Sequence, residues 1–182
     1  MDRRKALLGT LAWTGLANIA RAEDRLAALA RQGGVLLVRH ASTETGLGDP
    51  AGFILGQCQT QRNLSDAGRA EARAMGAWFQ RQGLRPQAVL SSQWCRCQDT
   101  ARIALGQAQP WPALNSTFAG QGEPEQQLAE LRQRLQRLAP GALEVWVTHQ
   151  VIMTALTQAY PAMGEGFLVD RQGRLQARGM MT

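Results

Sequence analysis

The chain has 182 residues, 45 % of them apolar, which suits one globular domain and excludes a disordered chain or two full domains. Nineteen Arg and one Lys face 14 acids, for a net charge of +6, yet Arg3, Arg4, Lys5 and Arg21 crowd into the first 22 residues with only Asp2 against them. The remainder carries 16 bases against 13 acids and no run of bases, which argues against nucleic acid as a partner.

The N-terminal segment has three parts. Met1–Lys5 is basic, Ala6–Ala20 is 15 residues without a charge, and Ala20-Arg21-Ala22 places small residues at the two positions a signal peptidase reads. The apolar run is shorter than the ~20 helical residues that span a bilayer core. A signal peptide over 1–22 is therefore expected, with a mature domain over 23–182, export to the periplasm and no stable membrane insertion after cleavage. Arg3-Arg4 also resembles a twin-arginine export signal. An oxidising compartment bears on Cys58, Cys95 and Cys97. Cys95 and Cys97 flank a single residue, so one of them can pair with Cys58 and leave an odd thiol. With two histidines in the whole chain and no finger-like spacing, neither a metal site nor any other cofactor is expected.

Apolar periods then alternate in type. Glu23–Arg31 reads as a short helix and Val35–Val38 as a buried strand. A helix is expected from Ser65 to about Gln82, with Ala67, Ala70, Ala74, Trp78 and Phe79 on one face, ended by Gly83 before Pro86. Ala88–Leu90 is a second strand, Gln93–Leu105 a helix, and Gly106–Gly122 an irregular stretch. Leu128, Leu131, Leu135 and Leu138 mark a core-facing helix whose Arg132, Arg134 and Arg137 face water. Leu143–Val147 is a third strand, followed by a helix from about Gln150 to Ala159. Phe167–Asp170 and Arg174–Ala177 flank a Gln172-Gly173 turn as a closing hairpin. This order predicts an α/β fold, a three-layer α/β/α sandwich around a mixed, mainly parallel sheet.

In such sheets ligands gather beyond the carboxyl ends of the strands. Val35–Val38 runs into Arg39-His40, Ala88–Leu90 into Ser91-Ser92 and then Arg96, and Leu143–Val147 into Thr148-His149. Two His and two Arg meeting at one place suit a phosphoryl group. Guanidinium forks match its oxygens in charge and shape, a neutral imidazole can attack phosphorus, and a second His can donate to the equatorial oxygens. Taken singly, a strand-end His is more often structural, a loop Arg solvated, and Ser91-Ser92 a helix cap. Their coincidence at three strand ends favours the phosphate site.

Four segments, in order, resemble the histidine phosphatase superfamily, in its phosphoglycerate mutase-like branch. Leu36-Leu37-Val38-Arg39-His40-Ala41-Ser42-Thr43 is similar to its Arg-His-Gly signature, and Asn63-Leu64-Ser65-Asp66-Ala67-Gly68 to its Leu-Ser-x-x-Gly helix start. Ser91-Ser92-x-x-x-Arg96-Cys97-x-x-Thr100-Ala101 and Val147-Thr148-His149 resemble the segments with the second Arg and second His. The resemblance implies a metal-independent phosphatase acting on a phosphate ester or phosphoramidate. His40 would be the nucleophile, Arg39 and Arg96 would bind the phosphoryl oxygens, and His149 would complete the pocket. Thr43 and Gln150 would be secondary substrate contacts. A small phosphorylated substrate follows, and export would make it extracytoplasmic, such as an envelope glycan phosphate. A non-catalytic phosphate-ligand binding protein of the same fold is the alternative.

Three positions depart from the family pattern. Ala41 and Gln150 stand where Gly is usual, and Leu114-Asn115-Ser116 resembles a segment where relatives carry Leu-x-Glu, the acid that protonates the leaving oxygen. Ser116 is no strong acid. Glu123, Glu125 or Asp49 would have to substitute, with Glu123 the first choice, or the substrate's leaving group must depart without much help. The resemblance also sets the loop of Cys58 beside the pocket and Cys97 at a packed position. A Cys58–Cys95 bridge with Cys97 free is the pairing this implies.

Overall fold

A run of alternating or continuous apolar residues forms a strand where both of its faces can be covered, and three such runs meet here in one parallel set. The computed structural model describes residues 24–182. The expected signal segment and its junction at Glu23 lie outside the described residues. The strands are β1 (Gly34–Arg39), β2 (Ala88–Ser91), β3 (Gln109–Pro110), β4 (Leu143–Thr148), β5 (Glu165–Val169) and β6 (Leu175–Met180). They form one sheet in the order β3-β2-β4-β1-β5-β6. The pairs β3–β2, β2–β4 and β4–β1 are parallel, while β5 runs antiparallel to β1 and to β6. The mixed, mainly parallel sheet is thus as expected.

Alternation along the central strands assigns the helices to layers. Leu36 and Val38 of β1, with Val145 and Val147 of β4, pack against a helix at 24–30 (α1), α2 (Asp66–Arg81) and α3 (Cys95–Leu105). Val35 and Leu37, with Trp146, face Leu131 and Leu135 of α4 (Pro124–Arg137) and Ile152, Met153 and Leu156 of α5 (Gln150–Thr157). Among the described residues, no helix is long and apolar enough to cross a membrane.

Three local expectations are corrected. The buried stripe of α2 is Gly68, Ala72, Met75, Gly76 and Phe79, with Trp78 beside it, whereas Ala67 and Ala70 face solvent. The helix is turned because its glycines, which carry no apolar signal, sit at its closest approaches. A Cβ at Gly76 would lie 2.5 Å from the Ala104 carbonyl oxygen, and one at Gly68 only 1.8 Å from that of Ser42. The stretch 106–122 also holds β3, whose Pro110 is tolerated because β3 is an edge strand. Finally, α5 ends at Thr157, closed by Gln158 in a left-handed conformation with φ +60°.

Candidate active site

β1 and β4 are neighbours in register, with Arg39 opposite Thr148, so the residues just past them arrive together. His40 N–H donates to the Thr148 carbonyl at 3.0 Å, and the rings of His40 and His149 lie 5.5 Å apart edge to face. Both rings are buried. Arg96 comes from the first turn of α3, and α5 begins directly after His149. Arg39, His40, Arg62, Arg96, His149 and Gln150 all line one cavity.

The loop that holds His40 is fastened on three sides. Ala41 N–H donates to Thr100 Oγ1, which itself donates to the Arg96 carbonyl at 2.7 Å. Ser42 gives its N–H and its hydroxyl to the two oxygens of Glu71 at 2.9 and 2.7 Å. The Ser42 carbonyl accepts from Ser65 N–H at 3.1 Å, and Ser65 caps α2 by accepting from Gly68 N–H. The helix-start motif therefore serves as the seat of the loop that holds His40. Ala41 fits where Gly is usual, because it is buried against Leu64 and Ala72.

His40 Nδ1 lies 2.9 Å from the Ala41 carbonyl oxygen. In the neutral ring that bond fixes the proton on Nδ1 and leaves the lone pair on Nε2. The ring is held neutral. Burial first, then the charge of Arg96 and those of Arg39 and Arg62, push its pKa down to about 3, against a smaller upward pull from the Ala41 bond. Burial and the same cations also hold His149 well below the ordinary histidine range. Its Nε2 is 2.8 Å from Ser92 Oγ and 3.5 Å from Cys97 Sγ, so Nδ1 is the nitrogen able to serve the cavity. Ser92 has one hydroxyl proton. Given to His149 Nε2 at 2.8 Å rather than to Asn115 Oδ1 at 3.2 Å, it leaves the ring proton on Nδ1, while Asn115 Oδ1 accepts Gln93 N–H. Burial raises the Cys97 thiol to about 12, so it packs as a neutral group and is no nucleophile.

The cationic side has a third member that sequence reading missed. Arg62 lies two residues before Leu64, which bridges Thr43 in antiparallel fashion, so it is delivered to the cavity beside the His40 loop. Its nearness to that helix start was the available signal, hidden among 19 arginines. Burial, then the charge of Arg96, lowers its pKa, and Arg39 is lowered by burial and by both other arginines. The Nε of Arg39, of Arg62 and of Arg96 is in each case buried without a hydrogen-bond partner. Three crowded guanidiniums with donors unpaired in the protein are a site for an anion. Among the described residues Asp49 is the single lining acid, and its carboxylate accepts from Arg96 at 2.7 Å, Arg62 N–H at 2.9 Å and Trp94 Nε1 at 2.9 Å. Burial alone would raise its pKa, but these bonds and the charge of Arg96 outweigh it and hold the carboxyl below its ordinary value.

A family model described as the histidine phosphatase superfamily (branch 1) matches residues 35–139. The chain belongs to that superfamily. Among solved structures, it resembles the protein histidine phosphatase SixA complexed with tungstate at 18 % identity and a TM-score of 0.56, over 80 % of this chain and 96 % of that one. A candidate alpha-ribazole-5'-P phosphatase from Escherichia coli gives 17 %, 0.60, 82 % and 97 % on the same measures. A candidate phosphohistidine phosphatase SixA from Agrobacterium tumefaciens gives 18 %, 0.57, 81 % and 97 %. At these identities the likeness is one of fold. No curated protein sequence matches.

In this histidine phosphatase fold the other expected contacts are spread unevenly. Gln150 lines the cavity at the positive end of α5, whereas Thr43 does not line it; its buried hydroxyl has no partner. Ser116 does line it, buried at the place where an acid was looked for. Glu123 stands exposed just before α4 and is not among the lining residues, because Gln127 accepts its N–H and anchors the turn there. The bridge joins Cys58 to Cys95 with Cα atoms 5.6 Å apart, and Cys97 is free, as the resemblance implied. It fastens the segment carrying Asp49 and Arg62 to the first turn of α3, next to Arg96.

Proposed function

We propose that the protein is a phosphatase that needs no metal ion and works through a phosphohistidine on His40. The observation that carries this is the buried, neutral His40, with Nδ1 bonded to Ala41 and Nε2 left to attack beside three guanidiniums. Nε2 attacks phosphorus, a P–N bond forms, and the P–O bond to the leaving group breaks with its electron pair going to that oxygen. Arg39, Arg62 and Arg96 hold the remaining oxygens, and His149 donates to them as charge shifts in the transition state. Water then attacks phosphorus and the P–N bond breaks back to the His40 lone pair. The hydroxyl stays on phosphate, and the proton passes through solvent to the departed oxygen.

The substrate class is a phosphate ester or phosphoramidate, the second supported by the neighbour named as a protein histidine phosphatase. The charge pattern of Met1–Ala22 supports export to the periplasm and a small phosphorylated substrate there, such as an envelope glycan phosphate. The test is hydrolysis of an aryl phosphate, with His40→Ala as control. Base-quenched wild type should carry an adduct of about 80 Da, one phosphoryl group, absent from His40→Ala. A chain that binds inorganic phosphate with no hydrolysis and no adduct is instead a phosphate-ligand binding protein.

A further inference from the structure

Resting on that phosphatase reading, we propose that the rim of the cavity selects phosphomonoesters whose leaving group is an uncharged aromatic ring that departs as a stable anion. The cavity measures about 100 Å³, room for roughly three waters at ~30 Å³ each. A phosphoryl group fills it, so the rest of the substrate lies at the mouth. There the wall changes character. Leu47 is 87 % exposed and Phe118 43 %, and both line the same cavity as the arginines. They come from separate loops that touch, since a Cβ at Gly48 would lie 3.4 Å from the Phe118 ring. Two large apolar side chains held open to water at the entrance of a cationic cavity form a landing surface. The Phe118 face suits a ring by stacking.

The other lining groups sharpen the choice. Beyond the three arginines, Asp49 and the two histidines, the polar lining side chains are the neutral Ser116, Gln121 and Gln150. With the three guanidiniums taken up by the phosphoryl group, no further charged side chain among the lining residues is left to pair with a charged leaving group. Asp49 is an acceptor tied to Arg96, Arg62 and Trp94, with no proton to give. The lining donors Ser116, Gln121 and Gln150 are too weakly acidic to give up a proton, so the P–O bond must break to an anion that is stable without one. Phenols do this far more readily than aliphatic alcohols.

The experiment compares kcat/KM for phenyl phosphate, acetyl phosphate and a hexose phosphate in wild type and in Leu47→Ser/Phe118→Ser. Acetyl phosphate also leaves readily but is too small to cover the rim. The expected result is a phenyl-to-acetyl ratio that falls at least tenfold in the variant, mainly through KM, with an unchanged melting temperature. Hexose phosphate should be turned over at least 100-fold less efficiently than phenyl phosphate by wild type. An unchanged ratio in a variant that melts normally, or equal efficiency on hexose and phenyl phosphates, overturns the rim proposal. His40→Ala separates the two ideas. Hydrolysis that survives it sinks the phosphohistidine reading, whereas an inactive His40→Ala beside an unchanged ratio sinks the rim alone.

Discussion

The floor and the rim of the cavity are built on opposite physics. On the floor, His40, His149 and Arg96 are buried, each is fixed by named partners, and two of the groups are driven far from their ordinary protonation. At the rim, Leu47 and Phe118 lie open to water, and Ala119 sits at φ +57°, a conformation that costs an L-residue about 1–2 kcal/mol. A floor of this kind fixes which chemistry is possible. A rim of this kind can change without unfolding the domain, so selectivity is stored where stability is least affected.

That contrast predicts a graded series of effects. His40→Ala should lower aryl phosphate turnover by on the order of 10⁴-fold or more, read in a steady-state assay, because no other lining group can replace the nucleophile. Asp49→Ala should cost ~3–5 kcal/mol in a urea melt, since it strands the buried Arg96 guanidinium among two other cations. Reducing the Cys58–Cys95 bridge, whose cysteines are 37 residues apart, should cost ~3–4 kcal/mol in the same melt. It should lower activity as well, because the freed segment carries Asp49 and Arg62.

pH tests the floor by a different route. His40 has a folded pKa near 3 against about 6.5 when unfolded, so between those values the unfolded chain binds more protons. Stability therefore falls as pH drops through 6.5, by ~2 kcal/mol between pH 8 and pH 5 for one such histidine, and His149 acts with the same sign. Thermal melts at pH 8 and pH 5 check this, and His40→Ala should flatten the dependence. The imidazole lone pair stays available down to about pH 4, so an acid limb near pH 6 in the rate belongs to the phosphate's own second ionisation. The smallest effect belongs outside the site. Glu123→Gln should leave alkyl and aryl phosphate rates within about twofold of wild type, whereas a tenfold loss confined to alkyl phosphates would assign Glu123 as the acid.

What could be read from the sequence follows the same division. Strand ends announce themselves, because a continuous apolar run stops where Arg39-His40 or Thr148-His149 begins, and the parallel sheet aligns those stops. Arg62 carried no such mark. It reaches the cavity through tertiary contacts without a local pattern, the bridge between Thr43 and Leu64 and its own N–H bond to Asp49. The face of α2 is not legible from apolar counting, which credits alanine and ignores glycine, while the packing needs the absence of a side chain at Gly68 and Gly76. The sequence offers Glu123 as the acid only because it follows Ser116 closely along the chain. The buried Gln127 side chain, bonded to the Asn115 carbonyl and to Glu123 N–H, turns the chain so that Gln121 lines the cavity and Glu123 does not.

The contact between Gly68 and the Ser42 carbonyl also sets terms for anyone who would diversify this protein. A methyl group there would start 1.8 Å from an oxygen that needs about 3.4 Å, and that oxygen belongs to the second residue after His40. Helix α2 is thus a depth stop for the His40 loop, with a tolerance finer than one carbon atom. A combinatorial library can randomise positions 47 and 118 widely and still yield folded clones, but it should hold position 68 constant. Survivors that replace it would have to lift the helix, and with it the imidazole, away from the three guanidiniums.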